Sequence, residues 1–170
     1  SRHLPIPDQH FGVICTSPAY GNRMADNYAP DMTNPKNKMR RSYRIYLGRP
    51  LSPGNGGAMH WGDEYRELHA QVWQECFRVL CDGGLFILNI KDHYRKGVLQ
   101  QVPEWHRDVL LGLGLELVDE IRIPLKGDQN TNTMRSRGVQ VEDYEILFVF
   151  RKPTSPRQDQ NRDPGRGSMG

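Results

Sequence analysis

Short apolar runs and amphipathic stretches alternate along the first half of the chain. Phe11–Cys15 (FGVIC) is apolar and rich in β-forming residues, so it predicts a buried strand that ends before Pro18. Residues 63–80 predict a helix with Asp63 as N-cap, since apolar residues recur there at three- and four-residue steps. The glycine pair at 83 and 84 is expected to end this helix, because glycine adopts the left-handed cap conformation without steric cost.

The second half continues this alternation and predicts an α/β protein. Leu85–Ile90 (LFILNI) is apolar at nearly every position, which is typical of a strand covered on both faces in a parallel sheet. A helix with Pro103 in its first turn and Gly114 as its cap follows, and residues 115–123 and 144–151 predict two further strands. This order predicts right-handed crossovers, a mainly parallel sheet and a ligand at the carboxyl ends of its strands.

The composition is that of one soluble domain with a polar tail. The 170 residues are 36% hydrophobic and 25% charged, and the mean hydropathy is −0.72, so we expect a domain over 1–152 and a disordered tail over 153–170. No apolar run is long enough to span a membrane or resembles a secretory signal. Three cysteines, Cys15, Cys76 and Cys81, argue against a disulfide framework and for the reducing cytoplasm. No His/Cys spacing predicts a metal site.

The segment 21–62 carries a net positive charge larger than that of the whole chain. It holds seven basic and two acidic residues, a net charge of +5, whereas the whole chain has +3. Glycines and prolines interrupt any period, and a loop of this length in a compact domain is usually functional. The concentrated positive potential indicates a polyanionic partner. The residues expected to contact nucleic-acid phosphates are Arg23, Lys36, Lys38, Arg40, Arg41 and Arg44.

The chemistry expected at the end of the first strand is that of a base-binding site. Ser17 offers a hydroxyl, and Pro18 has no N–H, so its region presents carbonyl acceptors that neither helix nor sheet has engaged. Tyr20 adds a flat aromatic face. Acceptors beside a stacking surface suit a planar base with an exocyclic amino group that has been turned out of its stack.

Three stretches of the sequence resemble one known family. Thr16–Tyr20 (TSPAY) resembles the (Asp/Asn/Ser)-Pro-Pro-(Tyr/Phe) motif of the amino-group DNA methyltransferases. Gly21–Asp26 (GNRMAD) is similar to the residues that follow this motif in bacterial and phage members. Arg78–His93 (RVLCDGGLFILNIKDH) is similar to a helix-to-strand passage of the same proteins. The resemblance spans roughly residues 4–151.

The resemblance implies a Rossmann-like class I methyltransferase fold and methyl transfer from S-adenosylmethionine to N6 of adenine or N4 of cytosine. The DNA partner would be double-stranded, with the target base flipped out. The catalytic residues implied are Ser17 and the Pro18 carbonyl, which would accept hydrogen bonds from the amino group, and Tyr20, which would stack on the base. Residues that would line the active site are Thr16, Ala19, Asn22, Asn89, Asp92 and His93.

The chain departs from the family pattern in two places. Ala19 replaces the second proline of the motif, which loosens the turn. The glycine-rich turn by which the family binds its cofactor is not found: the glycines of 54–57 follow no predicted strand, and those of 112–114 lie at a helix end. We therefore expect only the catalytic portion of the methyltransferase here, with an upstream segment or a partner supplying the cofactor site.

Two other functions remain open at this point. The chain could be an RNA or protein methyltransferase, because related motifs occur in such enzymes. It could also be a non-catalytic nucleic-acid-binding module or a degenerate enzyme. Among the aromatic residues outside the motif, Trp61 and Trp73 are expected to pack in the core, and His60, His69 and His106 to be ordinary surface or interface histidines.

Overall fold

A mixed four-stranded sheet with two helices forms the fold of the computed structural model, which describes residues 3–19, 21, 54–95, 97–125, 132, 135–136, 138 and 140–154. Most of the basic segment, most of the loop before the last strand and the tail from 155 onwards lie outside these residues. In chain order, the elements are β1 (Phe11–Thr16), a 3-10 turn (Gly56–Ala58), α1 (Asp63–Val79), β2 (Leu80–Ile90), β3 (Tyr94–Arg95), β4 (Val98–Leu99), α2 (Val102–Gly112), β5 (Glu116–Pro124) and β6 (Tyr144–Arg151).

The sheet has the strand order β1-β2-β6-β5, and β3 and β4 form a separate hairpin that the sequence did not predict. β1 and β2 are parallel, whereas β6 is antiparallel to both of its neighbours, β2 and β5. The expectation of a mainly parallel sheet is therefore wrong for the pairings, of which one is parallel and two are antiparallel. Hydrophobic alternation predicts a strand but not its direction, so the sequence could not show that β6 runs antiparallel to β2 and β5.

Both helices pack against one face of the sheet. Alternate residues of β2 and β6 are buried there, and the largest side chains of α1 and α2 close the core over them. Because strand residues alternate between faces, one register places a whole apolar set on the helix side. This core contains Tyr65, Trp73, Phe86, Leu88, Ile90, Val102, Leu110, Ile146, Phe148 and Phe150.

The opposite face of the sheet is apolar and only partly covered. In β2, every second residue from Leu85 to Asn89 is half-buried, so the predicted strand is covered fully on one face only. β1 was expected to be buried but is largely exposed, with Val13 at 56% and Phe11 at 37%. β5 is exposed along its whole length. The half-burial of β2 on its second face follows from the packing of α1 and α2 on the same side of the sheet, whereas the described residues cover neither face of the edge strand β5.

The boundary between α1 and β2 lies earlier than the sequence predicts. The helix ends at Val79 and the strand begins at once with Leu80, while Gly62, not Asp63, is the N-cap. Gly84 lies inside the strand, where a Cβ atom would come within 2.9 Å of the Gly12 carbonyl oxygen. That glycine therefore permits close approach of β1 and β2 and does not cap the helix.

One arginine fixes the segment before β1 to the last turns of α1. The Arg78 guanidinium donates to the carbonyl oxygens of Leu4 and Ile6 and, at 2.6 Å, to the Asp8 carboxylate. Its other contacts are with Glu75, and this pair lowers the pKa of the Glu75 carboxyl to about 2. The anchored segment leads directly into β1 and so helps to fix the position of that edge strand.

Candidate active site

Ser17, Pro18 and Ala19 directly follow the carboxyl end of β1. Thr16 is paired with Leu88 of β2, so Ser17 and Asn89 are the next residues along two adjacent parallel strands. In open α/β sheets this edge is where ligands bind. The structure therefore brings two of the predicted site regions, the motif and the end of β2, to one edge of the sheet.

A buried tyrosine of α1 contacts the motif. The hydroxyl of Tyr65 donates a hydrogen bond to the carbonyl oxygen of Ala19, although 46 residues separate the two. Tyr65 is fully buried, and its hydroxyl also lies 3.0 Å from Nε2 of His106 in α2. Nδ1 of His106 in turn lies 2.8 Å from the indole nitrogen of Trp73. We call these three side chains the Trp73–His106–Tyr65 network.

His69 and His106 are core residues, which corrects the expectation that they are surface or interface histidines, whereas His60 is half-buried. His106 is completely buried and His69 is 6% exposed, stacked on the Tyr65 ring with centroids 3.9 Å apart. Burial lowers the pKa of both imidazoles, and for His106 the lowering is large. The signal in the sequence was the four-residue spacing of Tyr65, His69 and Trp73, which places all three on one face of α1. The predicted packing of Trp61 and Trp73 is confirmed, at 8% and 2% exposed.

Gly21, the residue after the motif, contacts the segment that precedes α1. The Trp61 amide donates to the Gly21 carbonyl oxygen at 2.8 Å. Gly21 has a φ of +69°, and a Cβ there would lie 3.0 Å from the Trp61 backbone, so glycine permits both the conformation and the contact. The two ends of the basic segment therefore meet beside the motif. Its predicted phosphate contacts lie outside the described residues, as do Tyr20 and Asn22.

The polar residues after β2 have different surroundings. The Asn89 side-chain amide donates to Glu145 at 2.9 Å, and its buried carbonyl oxygen accepts no hydrogen bond from the described residues. The Asp92 carboxylate accepts from the backbone amides of His93, Gln101 and Val102. This is a structural function, because it joins the β3–β4 hairpin to the start of α2. A role for these three side chains in lining the active site stays a prediction.

Metal and membrane features are both lacking in what the structure covers. No cluster of three or more potential His, Cys, Asp or Glu ligands occurs among the described residues. Within the same part of the chain, no helix has the length and apolar character needed to cross a bilayer. The three cysteines are free thiols, and burial raises the pKa of Cys76 to about 11.

The fold is that of a methyltransferase, which confirms the resemblance on which the sequence analysis relied. A protein from Thermus thermophilus, provisionally assigned as a DNA modification methylase, matches with a TM-score of 0.51 and 17% identity, covering 92% of this chain and 52% of that one. The same protein complexed with S-adenosyl-L-methionine matches with a TM-score of 0.51 at 16% identity, over 91% of this chain and 52% of its own.

The cytosine-N4-specific PvuII DNA methyltransferase matches with the higher TM-score of 0.55 at 13% identity, over 88% of this chain and 46% of its own. The chain thus spans about half the length of these solved structures. No protein-family model matches the sequence. No curated protein matches it either.

Proposed function

We propose that this chain is the catalytic part of an S-adenosylmethionine-dependent methyltransferase that modifies the exocyclic amino group of adenine (N6) or cytosine (N4) in double-stranded DNA. The observation that carries the proposal is the position of Ser17–Ala19 at the carboxyl end of β1, held by Tyr65, in a methyltransferase fold. The finer description as a Rossmann-like class I fold belongs to this proposal. Free thiols at all three cysteines agree with a cytoplasmic location.

Ser17, Pro18 and Tyr20 would act on the target base by binding and orientation. The Ser17 hydroxyl and the Pro18 carbonyl accept the two amino hydrogens, which holds the nitrogen with its lone pair directed away from both acceptors. Tyr20 stacks on the base, and one such contact is worth about 1–3 kcal/mol. Positioning and electrostatic stabilisation lower the barrier, so no strong general base is required of these residues.

The basic segment would hold the DNA over this site. The described ends of this segment meet at the Gly21–Trp61 hydrogen bond, and seven basic residues lie between them in the sequence. Lysine and arginine side chains on this segment would contact phosphates on either side of the flipped base. This arrangement supports a nucleic-acid substrate over a small molecule.

The described residues do not fit the main contacts of the cofactor. Gly112 and Gly114 lie at the end of α2 and not after a strand, and termination of the helix explains them. Gly56 packs against α1, since a Cβ on it would lie 3.3 Å from the His69 and Leu68 side chains. We therefore propose that a further part, upstream or in a partner, supplies the cofactor site. The half-exposed apolar face of the sheet and the exposed β1 support this, since such a face is normally covered.

The test is methyl transfer from tritiated S-adenosylmethionine to DNA, RNA and protein substrates, first with this chain and then with the chain joined to a cofactor-binding part. We expect label on DNA in the joined form and little in the isolated chain. Label confined to RNA or to protein would replace DNA as the substrate class. No label on any substrate in the joined form would refute the proposal.

A non-catalytic nucleic-acid-binding function is the second candidate. Two observations favour it, namely Ala19 in place of the second proline and the misfit between the described glycines and the cofactor. Calorimetric titration separates the two functions. Micromolar binding of S-adenosylmethionine by the isolated chain would exclude the non-catalytic function, whereas DNA binding without any cofactor binding in the joined form would support it.

A further inference from the structure

The directions of the hydrogen bonds in the Trp73–His106–Tyr65 network follow from the chemistry of its members. An indole N–H can only donate, so Nδ1 of His106 is the acceptor of the Trp73 bond. A neutral imidazole then carries its hydrogen on Nε2, which donates to the Tyr65 hydroxyl oxygen. The hydroxyl hydrogen of Tyr65 is left for the Ala19 carbonyl. The three bonds therefore all run in one direction, from the core towards the motif.

The endpoint of this network is the position at which the motif departs from its family. A second proline at position 19 would fix the backbone φ through its ring, and alanine leaves that dihedral free. A hydrogen bond to the carbonyl of the same residue restrains the following peptide plane instead. Ala19 has no positive φ, so a proline ring is not excluded there by the sign of that angle.

Core packing alone does not account for the network. Phenylalanine at position 65 would supply the same ring, and the Tyr65, His106 and Trp73 side chains are at most 2% exposed. Polar groups at this depth are costly unless each finds a partner. Among the described residues, the chain of bonds leaves the helices at the Ala19 carbonyl oxygen, which belongs to the motif. Among the described residues, this network links both helices to the proposed base-binding site.

We propose that the Trp73–His106–Tyr65 network is a positioning device that takes the place of the missing second proline and holds Ser17–Ala19 in the geometry that receives the amino group. This inference rests on the proposed function for its catalytic consequence. Its structural content, which is that Tyr65 orders the motif, can be measured without any activity. Tyr65, His106 and Trp73 are positioning residues, since none is placed against the base.

The experiment is a double-mutant cycle on the full chain with Tyr65→Phe, Ala19→Pro and the two combined. NMR order parameters of the Ser17 and Gly21 amides report the order of the motif. We expect Tyr65→Phe to lower them from about 0.85 towards about 0.6, and the combined variant to restore them. Tyr94→Phe, which removes a hydroxyl elsewhere, is the matched control and should leave both amides unchanged.

The same variants in the joined, active form separate the two proposals. We expect Tyr65→Phe to lower kcat at least about tenfold with little change in the KM for the cofactor, and Ala19→Pro to restore most of it. Unchanged order parameters in Tyr65→Phe would overturn the positioning device. If Tyr65→Phe lowers the order parameters and adding Ala19→Pro does not restore them, the network does not take the place of the second proline.

If Ala19→Pro alone lowers the unfolding midpoint, Ala19→Pro is dropped and His106→Gln and Trp73→Phe must each lower the Ser17 order parameter in its place. If no variant, nor the unaltered protein, transfers a methyl group, the proposed function fails. The order parameters then still decide whether Tyr65 orders the motif.

Discussion

The indole nitrogen of Trp73 lies 2.8 Å from Nδ1 of His106, inside a core where neither side chain is more than 2% exposed. Because this bond requires an unprotonated Nδ1, the fold stabilises the neutral imidazole. The same core contains His69, whose Nδ1 lies 2.8 Å from the Tyr65 carbonyl oxygen. The molecule therefore buries two histidines that bind protons readily only when the chain unfolds.

The first prediction concerns this proton linkage. Burial lowers the pKa of His69 and His106 below the ordinary 6.5, so the unfolded chain binds more protons in mild acid. The two neutral imidazoles make their full contribution to the free energy of unfolding above about pH 6.5, and this contribution decreases as the pH falls. We expect the free energy of unfolding to drop by up to about 1.4 kcal/mol per pH unit for each ring. Urea unfolding between about pH 5 and 8 measures this slope.

His106→Gln is the informative variant for that prediction. It should be less stable than the unaltered protein at about pH 8 but show a shallower loss of stability in acid. His10→Gln, which replaces an exposed imidazole, is the matched control. An acid slope that persists in His106→Gln at full size would contradict the assignment of the linkage to this ring.

Gly84 is expected to be the least replaceable glycine of the sheet. A Cβ there would lie 2.8 Å from the Cys81 carbonyl oxygen and 2.9 Å from that of Gly12. Gly84→Ala should destabilise the protein by about 1–3 kcal/mol, since the backbone must move to relieve the overlap. Gly12→Ala is the matched control, because nothing lies within 4 Å of its added Cβ. Equal unfolding midpoints for the two variants would show that β1 and β2 do not approach as closely as described.

The Glu75 carboxyl should titrate at an unusually low pH because of its contact with Arg78. The hydrogen bonds from Arg78 lower the pKa of Glu75 to about 2, so its contribution to stability is present above about pH 4.5 and is lost between about 4.5 and 2. In Arg78→Met, the Glu75 carboxyl should titrate closer to its ordinary value, and residues 3–10 should become more sensitive to proteolysis. Carboxyl ¹³C NMR titration measures the shift. A pKa unchanged by the substitution would assign the lowering to another group.

Tyr20→Ala tests the stacking step of the proposed function. Loss of one base-stacking contact of about 1–3 kcal/mol should slow methyl transfer by roughly 5- to 150-fold in the joined, active form. The unfolding midpoint should change little. Single-turnover kinetics with circular dichroism as the folding control measures both, and near-normal rates would remove the stacking role from Tyr20.

The phosphate contacts predicted for the basic segment should depend on salt. Replacing Arg40 and Arg41 with glutamine should weaken binding to all DNA sequences alike. The slope of log K against log salt concentration should fall by about 2 in magnitude, because each arginine releases about one counterion. Fluorescence anisotropy at several salt concentrations gives the slope. Weaker binding at one sequence only would indicate contacts to bases.

Strong local patterns made several elements predictable. The last strand lies at 144–151 as expected, since a short apolar run rich in β-branched and aromatic residues (ILFVF) is typical of a strand. The placement of Ser17 after the first strand followed from Pro18, which cannot extend a sheet. The position of Gly84 was misinterpreted because a glycine pair after a helix predicts a cap unless the neighbouring strand is known.

The sequence by itself determined the order of the two helices and of the four strands of the main sheet, the motif at the end of β1 and the concentration of charge on one segment, because each depends on neighbours within a few residues. Only the tertiary structure decided that β6 runs antiparallel, that both helices share one face of the sheet and that Tyr65 meets Ala19 across 46 residues. Strand direction, facial packing and a hydrogen bond between distant residues depend on how elements pack in space, and hydrophobic periodicity carries no information about them.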